Sequence, residues 1–384
     1  FMQVIIMMYM QKYGHTPVVL LGGGTGMVGD PSGRTDMRKL MGVETIDDNC
    51  RRFKKLFDAF LEFDDEWKYE GNGGVFEPGH QNREPEPGRA VSVNNAGWLR
   101  PLNYIEFVRS VGTHFNVNQM LRAEAFKQRM SREGGLSFFE FNYMLMQSYD
   151  FAVMARDFDV KMQFGGNDQW SNIIGGVELT RKMYGKEVYG MTFSLLTNSE
   201  GNKMGKTANG ALWLSAEKTS PFEFYQYWRN VGDLDVEKCL KMLTFLPMSE
   251  IRKLASLEGA EINRAKEILA FEVTKLVHGE EAAAKAQEGA RAAFSGGNGT
   301  DNIPEKSFPK EEFSGEGKGL LTLLKELELA SSNGEARRTV EQGGLSIGGE
   351  KITDARFRVT EDMFEGGEIL VQKGKKKFIK VVLE

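Results

Sequence analysis

Pro17-Val18-Val19-Leu20-Leu21-Gly22-Gly23-Gly24-Thr25-Gly26-Met27-Val28-Gly29-Asp30-Pro31-Ser32-Gly33, residues 17–33, decides how the first half of this sequence is read. An apolar, β-rich run that stops at three glycines has the pattern of a buried strand ending in a tight turn. Residues 24–29 fit G-x-G-x-x-G, which alone points to a dinucleotide-binding dehydrogenase. That fold needs a helix already running through the third glycine. Asp30-Pro31-Ser32-Gly33 is instead a turn signal that interrupts a helix. The glycines are therefore read as letting backbone pass close to a ligand. Asp30 then stands at the C-terminal edge of the strand, where ligands bind in open α/β sheets. A plain turn aspartate is the alternative for Asp30.

Outward from this stretch, the opening run FMQVIIMMYM is too short to span a bilayer and lacks the basic start of a signal peptide. It is read as a buried helix before the strand. The run opens on Phe1 with no cap or turn ahead of it, so the sequence is expected to begin inside a domain. Downstream, residues 39–63 have helical spacing, and 68–90, rich in Gly, Pro, Glu and Asn, read as a surface insertion. Residues 104–157 are expected helical with a break near Gly134-Gly135. Residues 160–164 and 191–196 are strand candidates. Strands alternating with helices predict an α/β domain with a parallel sheet. At Ser220-Pro221, a cap followed by proline at the first helical position, the pattern turns helical and runs to Ala293. A Gly/Ser/Pro-rich stretch at 294–317 reads as a linker. Residues 318–384 resume order, with helices over 320–329 and 334–342 before β-rich segments.

The chain has 384 residues, 41% hydrophobic and 27% charged, which is a globular profile of two or three domains. A formal net charge of −5 means that any nucleic-acid contact must come from local basic patches. Two distant cysteines and four scattered histidines offer no zinc-type spacing, and the cysteine usage fits a reduced, cytoplasmic compartment. No metal ligands are expected from the protein.

Three further segments carry chemistry. Tyr143, Gln147 and Asp150 are spaced i, i+4, i+7 and share one face of a largely apolar helix. Such a polar stripe suits a pocket for a polar, cationic or hydroxylated ligand, with a half-exposed helix face as the alternative. Phe164-Gly165-Gly166-Asn167-Asp168-Gln169-Trp170 is a second glycine turn after a strand. Asp168 there can accept from ribose hydroxyls, or the turn is a helix start with Trp170 buried beneath it. Lys203-Met204-Gly205-Lys206-Thr207 places two lysines three apart in a glycine loop, a pattern suited to a polyphosphate. A solvated charge run is the usual alternative.

Taken together, GDPSGR (29–34), FNYMLMQSYDF (141–151), GGNDQW (165–170), LLTNSEGNKMGKT (195–207) and KTSPFEFYQYW (218–228) resemble tyrosyl-tRNA synthetases of the bacterial type. LASSNGEARRTVEQGG (329–344) is similar to their small C-terminal RNA-binding domain related to ribosomal protein S4. The resemblance spans nearly the whole chain except 68–90 and 294–317. It implies a Rossmann-like catalytic domain over 1–216, a helical anticodon-recognition domain over 217–293, a linker over 294–317 and an S4-like domain over 318–384. It implies a cytoplasmic homodimer that uses ATP with Mg2+, L-tyrosine and tRNA(Tyr), without membrane attachment.

Residue by residue, the resemblance makes Asp30 the holder of the tyrosine ammonium, with Tyr143 and Gln147 as partners. Asp150 would accept the phenol hydroxyl, and Gln169 would border the substrate. Gly166 and Asp168 would meet the ribose. KMGKT stands for the family's KMSKS loop, with Lys203, Met204 and Lys206 at ATP and Lys203, Lys206 and Thr207 catalytic. Arg34, Arg38, Arg337 and Arg338 are implied for phosphate or tRNA. The family's HIGH motif has no counterpart here: His15, His80 and His114 have no second histidine three residues away. A missing N-terminal strand and HIGH segment is the expectation. Rival readings are the dehydrogenase built on 24–29 and a non-catalytic RNA-binding protein using the tail.

Overall fold

A computed structural model describes residues 1–29, 41–72, 74–131, 135–207, 210–295, 304–374 and 377–384. Asp30, Arg34 and Arg38 lie outside them. Of Lys206 and Thr207 only the backbone is described. The chain divides into two units, residues 1–196 and 197–384.

In the first unit, helix Met2–Lys12 leads into strand Val18–Leu21. That strand pairs in parallel with Val91–Asn94. A second parallel pair joins Met162–Gly166 to Tyr189–Phe193, with helix Trp170–Tyr184 as the crossover. Among the described residues no α-helix runs through the third glycine of 24–29. Thr25–Met27 is a single 3-10 turn and Gly29 has φ of 87°, so the dinucleotide reading fails on backbone geometry. At two of the glycines the close approach is to protein. A Cβ on Gly23 would lie 2.3 Å from the Asn94 amide oxygen, and one on Gly24 would lie 2.7 Å from Leu99 Cβ. These glycines serve the close approach of the neighbouring strand and the turn that follows it.

The expected helix over 104–157 breaks earlier and more often than at Gly134-Gly135. Asn103 and Asn116 each turn a side-chain oxygen back onto two following amides and start new helices, Tyr104–Ser110 and Val117–Met120. Glu124–Met130 follows, and then the long helix Phe138–Asp157, opened by a Ser137–Glu140 capping box. The insertion 68–90 lies largely at the surface, as expected, but is stitched to the core. Strands Tyr69–Glu70 and His80–Gln81 form a hairpin. Val75 is fully buried, and its carbonyl accepts from Arg156 at 2.9 Å.

The second unit opens with the lysine loop and a short hairpin, Lys206–Thr207 with Gly210–Ala211. The near-continuous helix expected over 220–293 is five helices: Pro221–Arg229, Val236–Leu243, Met248–Ala255, Ile262–His278 and Glu280–Ser295. Residues 304–317, expected as tether, are part of the terminal domain. Strand Glu305–Phe308 pairs in parallel with Lys377–Leu383 at the edge of a five-stranded sheet. Phe313 is fully buried in the core of that domain, beside Leu320, Leu323 and Val359. Helices Leu320–Glu326 and Asn333–Glu341 pack on this core.

Candidate active site

Asp150 is 2% exposed, with one donor on each carboxylate oxygen. Asn95 Nδ2 donates to Oδ2 at 2.9 Å and Trp98 Nε1 donates to Oδ1 at 2.8 Å. Asn95 is itself fixed from behind. Its amide oxygen accepts from the Gly24 amide at 2.7 Å, and its Nδ2 also donates to Thr25 Oγ1 at 3.0 Å. The glycine turn of 22–25 therefore positions a carboxylate through an asparagine. The helix that carries Asp150 packs closely on Trp170–Tyr184 because the facing residues are glycines. A Cβ on Gly175 would lie 2.5 Å from Ser148 Oγ, and one on Gly176 would lie 2.8 Å from Phe151 Cβ.

Burial disfavours the charged form and pushes the Asp150 carboxyl up to about 7, while the Asn95 and Trp98 donors pull the other way. Such a shift is on the order of 4 kcal/mol between protonation states. Each carboxylate oxygen keeps an acceptor position beyond its one protein donor. A ligand hydroxyl can fill it.

One helical turn away, Gln147 joins an amide network rather than standing free. Its Nε2 donates to Gln169 Oε1 at 3.2 Å, and its Oε1 accepts from Asn172 Nδ2 at 3.0 Å. Tyr143 lies a turn further along the same helix and is half-buried. A rise of about 1.5 Å per residue spaces Tyr143 and Asp150 about 10 Å along the axis. One helix face thus carries polar groups at both ends of a span of about 10 Å. At the C-terminal end of strand Met162–Gly166, Asp168 is exposed, and its Oδ1 would sit 2.5 Å from any Cβ on Gly166. Trp170, read as buried in one alternative, is 50% exposed.

In the second unit, Lys203 is exposed and its backbone bridges to Thr197. Between it and Lys206, Met204 Sδ lies 3.8 Å from Cys239 Sγ, and the Gly205 amide donates to Tyr227 Oη at 2.7 Å. In the terminal domain, Arg337 and Arg338 are exposed on helix Asn333–Glu341. Two lysines of the last two strands are engaged in ion pairs. Lys380 is buried between Glu305 and Glu368, and Lys373 pairs with Glu335 at 2.7 Å.

The family model described as "tRNA synthetases class I (W and Y)" covers residues 1–295. The chain belongs to this family. A second model, "Tyrosine--tRNA ligase SYY-like C-terminal domain", covers residues 301–381, which agrees with a terminal domain that begins before 318. Curated relatives include a tyrosine–tRNA ligase of Clostridium perfringens, 54% identical over all of this chain and 88% of its own length. One from Clostridium tetani is 51% identical over the same shares. Among solved structures, the C-terminally truncated mitochondrial tyrosyl-tRNA synthetase of Aspergillus nidulans is similar with a TM-score of 0.61 and 28% identity. It covers 76% of this chain and 81% of that one. An Archaeoglobus fulgidus structure shares the fold with a TM-score of 0.50 at 17% identity, covering 74% and 84%.

In this class I synthetase, the first unit brings Gln147 and Gln169 into one network and sets Asp150 on the same helix face. Asp168 reaches that network through Gln169, whose Nε2 donates to Asp168 Oδ2 at 3.3 Å. Sequence reasoning missed Asn95, Trp98 and Asn172. The signal for the first two was present: Val91-Ser92-Val93-Asn94 alternates as a strand and stops at Asn95-Ala96-Gly97. Nothing local in the sequence says that an asparagine at 95 meets an aspartate at 150.

Proposed function

We infer that the chain is a tyrosine–tRNA ligase, which activates tyrosine with ATP to tyrosyl-adenylate and transfers the tyrosyl group to the 3′ end of tRNA(Tyr). The observation that carries this reading is the buried Asp150 carboxylate, held by Asn95 and Trp98 with acceptor capacity left over. It suits a phenol hydroxyl and penalises phenylalanine, which would leave it unmatched. Asp30, with Tyr143 and Gln147, is proposed to take the substrate ammonium, and Gln169 to border the ring. Gly166 and Asp168 are proposed to meet the ATP ribose. Lys203, Lys206 and Thr207, with Met204 between the lysines, are proposed to steady the departing pyrophosphate. The tyrosine carboxylate attacks the α-phosphorus and pyrophosphate leaves. The protein's part is positioning and charge stabilisation. Magnesium is proposed only as the counter-ion that ATP brings. Among the described residues no cluster of three His, Cys, Asp or Glu could hold a metal ion. Tyrosine-dependent exchange of pyrophosphate into ATP tests the reading. Exchange that ignores tyrosine sinks it.

The first unit is proposed as Rossmann-like, the helices over 217–293 as the anticodon-recognition domain and the terminal domain as S4-like and RNA-binding, through Arg337 and Arg338. Arg34 and Arg38 are proposed for phosphate or tRNA. Because Lys373 and Lys380 are engaged in ion pairs, the terminal domain should neutralise few phosphates. Removing residues 304–384 is expected to leave tyrosine activation nearly unchanged and to weaken tRNA affinity about tenfold or more, with a modestly shallower salt slope. A cut at 318 would instead fall inside the domain, because it strands Glu305–Phe308 without its partner strand. Charging kinetics across a salt series decide this; unchanged charging ends the RNA-binding role.

The chain is also proposed to act as a homodimer in the cytoplasm. Ile105 at 64% and Phe138 at 69% exposure are large apolar side chains in water, as an uncovered contact would leave them. Sedimentation at micromolar concentration should give a dimer for the parent and a monomer for Ile105→Glu/Phe138→Glu. A monomeric parent would remove the proposal. Cys50 and Cys239 are buried free thiols, which suits a reducing compartment. Among the described residues no helix is long and apolar enough to cross a membrane.

A further inference from the structure

The lysine loop is tied at three points to two helices of its own unit. At its start, Lys238 Nζ donates to Thr197 O at 2.8 Å and reaches Thr197 Oγ1 at 3.2 Å. At its centre, Cys239 Sγ meets Met204 Sδ at 3.8 Å, and the Gly205 amide donates to Tyr227 Oη at 2.7 Å. Gly205 O in turn accepts from the Leu212 amide at 2.8 Å. Gly205 has φ of 82°, with nothing within 4 Å of the place where a Cβ would sit. Glycine is therefore required there by backbone conformation and not by crowding. Gly205, between the two lysines, is thus held on both its polar backbone groups, while Lys203 itself is exposed to solvent.

We propose that Tyr227 is a positioning residue for the phosphate lysines, its hydroxyl fixing the Met204-Gly205 step from which Lys203 and Lys206 are presented. The proposal rests on the reading of Lys203 and Lys206 as pyrophosphate contacts. Tyr227 is half-buried, and its ring stands edge-on to Trp228 at 5.0 Å, so the hydroxyl is carried by a packed side chain rather than a swinging one. Burial pushes its phenol pKa up, with the Gly205 amide opposing, so the group stays a neutral hydroxyl at working pH. Removing only that oxygen leaves the ring packed and frees the loop at its glycine hinge. Loosely held cations contribute less to a transition state than fixed ones, because they must be ordered during the reaction. Substrate tyrosine, bound by other residues, should not sense the change.

The test compares the parent and Tyr227→Phe in single-turnover adenylate formation, tyrosine binding and thermal melting, with hydrogen exchange followed over residues 197–205. The expected result is a rate of adenylate formation about fivefold to tenfold lower, tyrosine affinity within twofold, an unchanged melting temperature and faster exchange confined to 197–205. A rate within twofold of the parent overturns the proposal. So does a rate loss that comes with weaker tyrosine binding and a lower melting temperature, since that is a structural defect. If the parent itself forms no adenylate with tyrosine, the activity reading has failed. The hydrogen-exchange arm then still decides whether Tyr227 fixes the loop.

Discussion

Replacing Asp150 by alanine is expected to abolish most of the preference for tyrosine over phenylalanine while leaving the fold intact enough to bind either. On the proposed reading, a buried carboxylate, two fixed donors and an asparagine relay serve one hydroxyl. Sites built around a hydroxyl reject the analogue lacking it by ~10⁵-fold; that value belongs to tyrosyl-tRNA synthetases as a class and is not obtained from this structure. Adenylate-formation kinetics with both amino acids measure the change, and unaltered selectivity removes Asp150 from the role. The same group has a pH signature. Its folded pKa is raised to about 7 from an ordinary value of 3.8. Its contribution to stability is therefore fully present below about pH 4 and lost as pH rises through 7. Asp150→Asn should flatten that part of the stability profile and gain on the parent at pH 8. A donated phenol hydroxyl favours the ionised carboxylate, so tyrosine affinity in the parent should rise between pH 6 and 8.

Lys203→Ala and Lys206→Ala are each expected to slow adenylate formation by roughly 10²-fold or more, the scale seen when one preorganised stabilising group is removed from a developing charge. Ground-state affinity for tyrosine should stay within about threefold, because the lysines meet charge that grows only as pyrophosphate departs. Lys203 is exposed and makes no ion pair among the described residues, so its removal should not cost stability. Single-turnover kinetics separate the two quantities. Normal chemistry with weak tyrosine binding would contradict the assignment.

Where sequence periodicity was strong, the elements agree. The strand at Val18–Leu21, the helix Met2–Lys12 and the capped start at Ser220-Pro221 all stand where pattern and cap chemistry place them. Element ends drifted by a few residues, as at Tyr189–Phe193 against 191–196, because apolar runs do not mark where a ladder stops. Breaks within 104–157 depended on whether Asn103 and Asn116 turned back onto the chain. That is a competition between side-chain and helical hydrogen bonds that composition does not decide.

The sequence by itself determined the order of the motifs and the apolar run that becomes strand Val18–Leu21. The i, i+4, i+7 spacing placed Tyr143, Gln147 and Asp150 on one face, because a helix has a fixed period. Only the tertiary structure decided what those residues touch. Asn95 lies 55 residues from Asp150, Glu305 lies 75 from Lys380, and Gly205 lies 22 from Tyr227. Each pairing requires strands and helices to bring distant backbone together. Local propensity carries no information about which buried group will be matched with which, whereas the cost of leaving one unmatched makes the final pairing specific. That is why Lys373 and Lys380, two cations near the C-terminus in sequence, are ion-paired in the fold.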